Sequence, residues 1–597
     1  MLLGTIIGKV TTTEFSFSVS DSKAKKFEFI QVMHPDYGYV LGQIVELEHD
    51  VKGVVALCQV IGYKDKEGIL RQPRTPVKPG SEVLIAEDTF ITEVIRMDTK
   101  DTAFIGRLEG KDIPINLDLS KLLTKHVAIL AKTGAGKSYA AGVLVEEILE
   151  RKIPLLIIDP HGEYSMIKEQ NSDSNDTEKL VQWGLKPKGY RKQIQEYGDL
   201  DISADVKPLL LNEEMTPKEI LSILPAKLTG SQQAALYSVM KDLKTVTLSQ
   251  VISHLEQLEG NTYSMLSMVE YIKNLNLFSI NYTPYTELIQ PGKCSIINLK
   301  GIEPEIQEII VFKLLKDLFE MRKAQRVAPF FCVIEEAHNF IPERGTGEKK
   351  SSTIIRTLAA EGRKFGLGLC VITQRPARIE KNVLSQCNTQ IILKVTNPHD
   401  IKAITTSIEG ITAGMEKEIP NLPIGTAIVT GVSEMPLAVR IRPRMSKHGG
   451  STVDILAHDT FTEQVKQYQE SEILPVIDSR YSIKEIKLMQ EQEKQIQTYL
   501  IPAVLFTIAG NPTYNLLIDR IKGHIIADIA HKEIIQIDDA VRLEDHQSYE
   551  KVVFKQVHYD KKLEPKLSIE AIKKRITIIA DIVEATECFV VHHYTKT

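Results

Sequence analysis

Lys137 and Ser138 close the run Ala131-Lys-Thr-Gly-Ala-Gly-Lys-Ser138, whose residue types suit one task, the holding of phosphate. The apolar segment His126-Val-Ala-Ile-Leu130 before it reads as a strand, and Tyr139 to Arg151 after it reads as a helix. A strand, a glycine-rich loop and a helix N-terminus together make a positively polarised nest for phosphate oxygens. In that nest Lys137 reaches the β- and γ-phosphates, and the Ser138 hydroxyl is a ligand for Mg²⁺. The nucleotide-binding candidates are Lys132, Thr133, Gly134, Ala135, Gly136, Lys137, Ser138 and Tyr139. The strict pattern opens with glycine, where this chain has Ala131.

A phosphate loop needs a carboxylate on a neighbouring strand. Phe330-Phe-Cys-Val-Ile-Glu-Glu-Ala-His338 supplies two, at the end of a buried strand. Glu335 is assigned to the metal and Glu336 to polarising the attacking water. The usual first acid of such a pair is Asp, so Glu335 is a departure. Leu369-Cys-Val-Ile-Thr-Gln374 is a further strand, and Gln374 at its tip suits a sensor of the γ-phosphate. Between them the helical stretch from Ser352 runs into Glu361-Gly-Arg-Lys364. Two readings of Arg363 stand: a cation suited to a helix C-terminus, or an arginine finger offered to a neighbouring subunit's nucleotide. Asp159 and Glu163 in Asp159-Pro-His-Gly-Glu-Tyr164 orient the water or the neighbouring site, or else cap a turn.

The elements that position these groups follow from patterning. Unbroken apolar runs at Val127–Leu130, Pro154–Asp159, Ser295–Leu299, Phe330–Ile334, Leu369–Thr373, Gln390–Val395 and Ala427–Thr430 alternate with helices. This predicts an α/β fold over 120–445 with a parallel sheet covered on both faces, an arrangement that, with the phosphate loop, resembles a RecA-like core. Residues 1–110 show short strands broken by Pro73, Pro76 and Pro79-Gly80, which predicts a small N-terminal β-barrel. Residues 170–290 read as a helical insertion, 446–500 as a helical or linker segment, and 501–597 as a C-terminal α/β extension without a chemical motif.

At 597 residues the chain exceeds one core, and three or four domains are expected. Its 73 Lys+Arg against 78 Asp+Glu exclude a generally basic coat but leave room for a local basic channel. Six scattered cysteines without a metal-spaced partner point to a reduced, cytoplasmic protein. No apolar run approaches the roughly 20 residues that span a bilayer, so no membrane is expected.

Taken in order, several stretches resemble the HerA family of hexameric ATPases, over roughly residues 1–450. They are Pro76-Val-Lys-Pro-Gly-Ser-Glu-Val83, Ile113-Pro-Ile-Asn-Leu-Asp118, Ala131–Ser138, Asp159–Tyr164, Ile334-Glu-Glu-Ala-His-Asn-Phe340, Glu361-Gly-Arg-Lys-Phe-Gly366 and Thr373-Gln-Arg-Pro376. The resemblance implies a homo-hexameric ring that uses ATP and Mg²⁺ to move double-stranded DNA through a central channel. It further implies an N-terminal barrel that docks a NurA-like nuclease for DNA-end resection. By the same resemblance Arg363 is the first choice for the trans-acting finger and Lys125 is a second. Loops after the two site strands offer Arg344, Lys349, Lys350, Arg375, Arg378 and Lys381 for DNA phosphates. Two alternatives remain: a ring ATPase with a different cargo or effector, and a nucleotide-gated scaffold.

Overall fold

The computed structural model describes residues 1–449 except 22, 52, 96–100, 199–205, 226–227, 241–243, 258–261, 346, 348, 408–412 and 432–435. Beyond these it describes 470–477, 496–509, 514–521, 540–542, 552–577 and 582–596. The chain divides into two compact units: residues 1–206, 218–227 and 284–451, and residues 207–217, 228–283 and 452–597.

The first unit begins with six strands that close on themselves. Leu2–Ile7, Glu14–Val19, Gly53–Lys64, Gly38–Asp50, Phe29–His34 and Glu82–Ile85 pair antiparallel in that circular order. Alternate residues point inward, and Leu3, Phe17, Ile30, Ile44, Ala56 and Val83 fill the interior. The barrel ends sooner than its sequence suggested. Thr102–Leu108, placed within it by the 1–110 boundary, pairs instead with Leu437–Ile441 and Pro114–Asp118 at the edge of the main sheet.

That main sheet sets the geometry of the site. Its strands run in the order Ile194–Gly198, Cys294–Asn298, Leu155–Asp159, Phe330–Ile334, Leu367–Thr373, Val127–Leu130 and Thr389–Ile392, all parallel. Thr426–Val429, Leu437–Ile441, Thr102–Leu108 and Pro114–Asp118 continue it antiparallel, so the sheet is mixed rather than wholly parallel. Strands with both faces covered need apolar residues at every position, and Val127–Leu130, Leu155–Asp159 and Phe330–Ile334 are buried throughout. Ile194–Gly198 lies inside the stretch read as a helical insertion and is a strand. Its Ile-Gln-Glu-Tyr-Gly sequence has no apolar run to announce it.

The phosphate-loop helix Lys137–Glu150 is pinned from behind by buried charge. Arg442, fully buried, donates to Glu146 Oε2 at 2.8 Å and to Glu147 Oε1 at 2.9 Å. Arg444 lies across Gly142, where any Cβ would sit 2.4 Å from the guanidinium carbon. Removing either partner of such a buried pair leaves an uncompensated charge, so the helix cannot slide along its axis at low cost.

In the second unit, Leu248–Glu256 and Tyr263–Asn274 are helices. Glu470–Ile477, Ile496–Ile508, Tyr514–Asp519, Val553–Tyr559 and Ile582–Lys596 form one sheet with the helix Ile569–Ile576. The helical or linker reading of 446–500 therefore fails in two places: Glu470–Ile477 and the residues from Ile496 onward are strands. Among the described residues no helix is long and apolar enough to cross a membrane.

Candidate active site

The strand Val127–Leu130 delivers the chain to the loop, and the loop turns through Gly134 and Gly136 at φ +76° and +95°. A side chain is strained at such angles, so glycine frees the backbone to aim its N–H groups inward. Lys137 opens the helix that follows and is 8% exposed. Its ammonium lies 2.6 Å from Glu335 Oε1 and also contacts Glu336 Oε1. Burial alone would lower the Lys137 pKa, but the two carboxylates outweigh it and raise the value. The loop lysine and the acid pair at the end of Phe330–Ile334 therefore converge, although their strands are not neighbours as expected: Leu367–Thr373 lies between them.

The two acids sit in different surroundings. Glu335 is fully buried and receives a hydrogen bond from the Tyr164 hydroxyl at 2.7 Å. Burial pushes its pKa up to about 7, against the pull of Lys137 and Tyr164. Glu336 adopts φ +46°, a left-handed conformation uncommon outside glycine, and this bends the chain sharply off the strand. Its Oε2 is buried without a hydrogen-bond partner among the described residues, with His338 Nδ1 3.3 Å away. A buried acceptor with a spare lone pair is what a water-polarising group needs. His338 is tied in turn to Thr373 Oγ1 at 3.0 Å, and burial holds its pKa down.

Asp159 caps its own loop, accepting from the N–H groups of His161, Gly162, Glu163 and Tyr164 at 2.8–3.3 Å. The turn-capping role is thus the one these bonds display. The loop it shapes sends Glu163 to the Ser138 hydroxyl and Tyr164 to Glu335, the two groups expected to face the metal. Ser138 and Glu335 offer oxygen donors, which suit a hard cation such as Mg²⁺. Sequence reasoning did not find Tyr164, because an aromatic after a Gly-Glu turn carries no signal of a partner 171 residues away. Gln374, at the tip of Leu367–Thr373, accepts from the Thr133 hydroxyl and so touches the phosphate loop directly.

The other cations lie elsewhere. Arg363 is exposed in the single turn Gly362–Phe365, which precedes Leu367–Thr373. Thr373 pairs with Leu130 next to the phosphate loop, so the length of the strand, about 20 Å, separates Arg363 from its own loop. Lys125, half-buried, precedes Val127 at that same far end. Arg344 pairs with Glu380 at 3.2 Å, Lys349 with Glu308 at 3.2 Å, and Lys381 with Glu343 at 3.9 Å. Arg375 and Arg378 are exposed. Lys350 separates from this group: it is half-buried, and its ammonium caps the carbonyls of Ile223 and Leu224. That placement removes it from a DNA-facing set.

The buried Glu335 makes a pH prediction. Its folded value lies above its ordinary one, so folding takes up a proton there, and the stability this gives is lost as pH rises through about 7. Glu335→Gln is neutral at every pH. The nucleotide-free variant should therefore gain thermal stability on the parent between about pH 6 and about pH 8. Equal differences in Tm at the two pH values would contradict it.

Residues 103–318 match the family described as "Helicase HerA, central domain". The "Probable DNA double-strand break repair helicase HerA" of Methanocaldococcus jannaschii is 30% identical over 498 residues, 76% of this chain and 97% of that protein. The "DNA double-strand break repair helicase HerA" of Pyrococcus furiosus is 23% identical over 538 residues, 76% of this chain and 96% of that one. Among solved structures, VirB4 of Thermoanaerobacter pseudethanolicus aligns with a TM-score of 0.42 and 16% identity, covering 58% of this chain and 97% of that one.

Proposed function

Since the chain belongs to the HerA family, we propose that it is an ATP-driven translocase and helicase on double-stranded DNA, working as a homo-hexameric ring. The reading is carried by one observation. The phosphate loop, its acid pair and Gln374 converge at one end of the central strands, while the exposed Arg363 stands about 20 Å away at the other. An arginine that cannot reach its own nucleotide can complete only a neighbour's site, and a closed ring gives every site such a neighbour.

In each site the loop N–H groups and Lys137 hold the β- and γ-phosphates. Ser138 and Glu335, steadied by Glu163 and Tyr164, would hold Mg²⁺, which would supply neutralising charge to the phosphates. Phosphate must draw Lys137 off the two carboxylates. That frees Glu336 to take a hydrogen bond from water and Gln374 to leave Thr133 for the γ-phosphate. Arg363 of the adjacent subunit offsets the charge that develops in transfer, and Lys125 at the same end is a second cation for that interface. Arg344, Arg375, Arg378, Lys349 and Lys381 offer sequence-independent contacts to DNA phosphates from loops beyond the site strands.

We take residues 1–85 as the barrel, 102–445 as the motor and the C-terminal part as an addition whose role the motor does not dictate. The barrel is the docking face for a NurA-type nuclease in end resection. ATP hydrolysis by the purified protein with and without linear duplex DNA, beside Lys137→Ala, tests the reading. Stimulation that vanishes in the variant is expected. Turnover indifferent to DNA would point to another cargo, and no turnover at all to a nucleotide-gated scaffold.

A further inference from the structure

The turn that carries Arg363 is held by side chains from two distant parts of the chain. Arg322, in the last turn of the helix Pro304–Lys323, donates from Nε to the Phe365 carbonyl at 2.6 Å. It also donates from Nη1 to Val327 O at 2.8 Å. Phe365 meets Phe319 of the same helix edge-on, with ring centroids 5.5 Å apart. Gly366 closes the turn at φ +71°, and a Cβ on Gly362 would lie 2.9 Å from the Leu367 carbonyl, so the turn has no room to shift inward.

His126 holds the other side. It is 3% exposed and adopts φ +56°. Its Nδ1 accepts from the Leu369 N–H at 3.1 Å, which leaves the hydrogen on Nε2 to be donated to the Ala359 carbonyl at 3.0 Å. The imidazole is thus neutral, in one tautomer, and bridges the helix Lys350–Glu361 before the turn to the strand Leu367–Thr373 after it. A residue held at positive φ in the core persists only where its surroundings over-determine it, and both of its ring nitrogens are engaged here.

We propose that Arg322 and His126 are positioning residues that brace the Gly362–Gly366 turn, so that Arg363 meets the neighbouring subunit's γ-phosphate in one orientation. This rests on the reading that Arg363 acts in trans. A guanidinium stabilises developing charge only at hydrogen-bond distance, and a displacement of about 1 Å costs on the order of 100-fold in rate. Neither brace residue belongs to its own subunit's nucleotide nest, so their loss should leave nucleotide binding intact and lower turnover.

The test uses the full chain with Arg322→Met, Arg322→Lys and His126→Asn; asparagine tolerates the left-handed backbone but is too short to bridge both partners. Arg322→Met and His126→Asn should lower kcat about 10- to 100-fold with little change in KM or in binding of a fluorescent ATP analogue. Arg322→Lys should recover part of that loss. Mixed with Glu336→Gln subunits, which carry an intact turn, Arg322→Met subunits should regain ATPase activity as Arg363→Ala subunits do. Rescue of Arg363→Ala without rescue of Arg322→Met, in rings shown to mix, would overturn the brace. Loss of nucleotide binding in both Arg322 variants would overturn it as well, marking a folding role. Failure to rescue Arg363→Ala would remove the trans reading and this inference with it.

Discussion

Replacing Arg363 by alanine should lower the kcat of the assembled ATPase by about 10³–10⁵-fold while KM for ATP and nucleotide affinity stay close to those of the parent. The split follows from geometry. The phosphate loop, Lys137 and Ser138 bind the ground state without any contribution from Arg363, which stands about 20 Å away across the strand Leu367–Thr373. A finger from a second subunit acts on charge that appears only in transfer, so its removal shows in turnover and not in binding. Arg363→Lys keeps the charge but not the two-pronged guanidinium and should recover only part of the rate. Steady-state kinetics with a separate nucleotide-binding measurement check the split. Unchanged kcat in Arg363→Ala would assign the finger elsewhere.

The second large effect is expected at Glu336. Glu336→Gln should reduce kcat by about 10²–10⁴-fold and leave nucleotide bound at least as tightly. The carboxylate sits past the end of Phe330–Ile334 on a left-handed backbone, with a buried oxygen that has no hydrogen-bond partner among the described residues. Glutamine preserves size but accepts the water's proton poorly. The same change removes one of the two carboxylates that hold Lys137 before phosphate arrives, which favours nucleotide binding. Single-turnover hydrolysis with Glu335→Gln alongside separates the two acids. The Glu335 variant should respond to added Mg²⁺, whereas the Glu336 variant should not. Reversed behaviour would exchange their roles.

How far the sequence reached depended on the range of the physics. The central strands were legible because burial on both faces demands continuous apolar residues, as in Phe330–Ile334 and Leu155–Asp159. The phosphate loop was legible because its glycines answer a local backbone requirement at Gly134 and Gly136. Pairing over long separations was not. Thr102–Leu108 reads like one more barrel strand, and only its register with Leu437–Ile441 places it in the main sheet. Glu470–Ile477, with its acids and Pro475, resembles its Gln/Glu-rich neighbours in composition but is a strand. The site showed the same division. The residue types at Lys137, Glu335, Glu336 and Gln374 were readable, whereas Tyr164, Arg322 and His126 make their hydrogen bonds to residues distant in the chain and leave no pattern. Lys350 shows the converse error: its charge suggested DNA, but its ammonium caps two carbonyls near Ile223.

The shared active site is tested most directly by mixing Glu336→Gln subunits with Arg363→Ala subunits, each inactive alone. At some interfaces an intact Glu336 and its loop come from one subunit and an intact Arg363 from the next. ATP hydrolysis should therefore return on mixing, rise to a maximum at an intermediate ratio and depend on duplex DNA as the parent's does. No return of activity, in rings shown by mass to contain both kinds of subunit, would contradict hydrolysis completed between subunits.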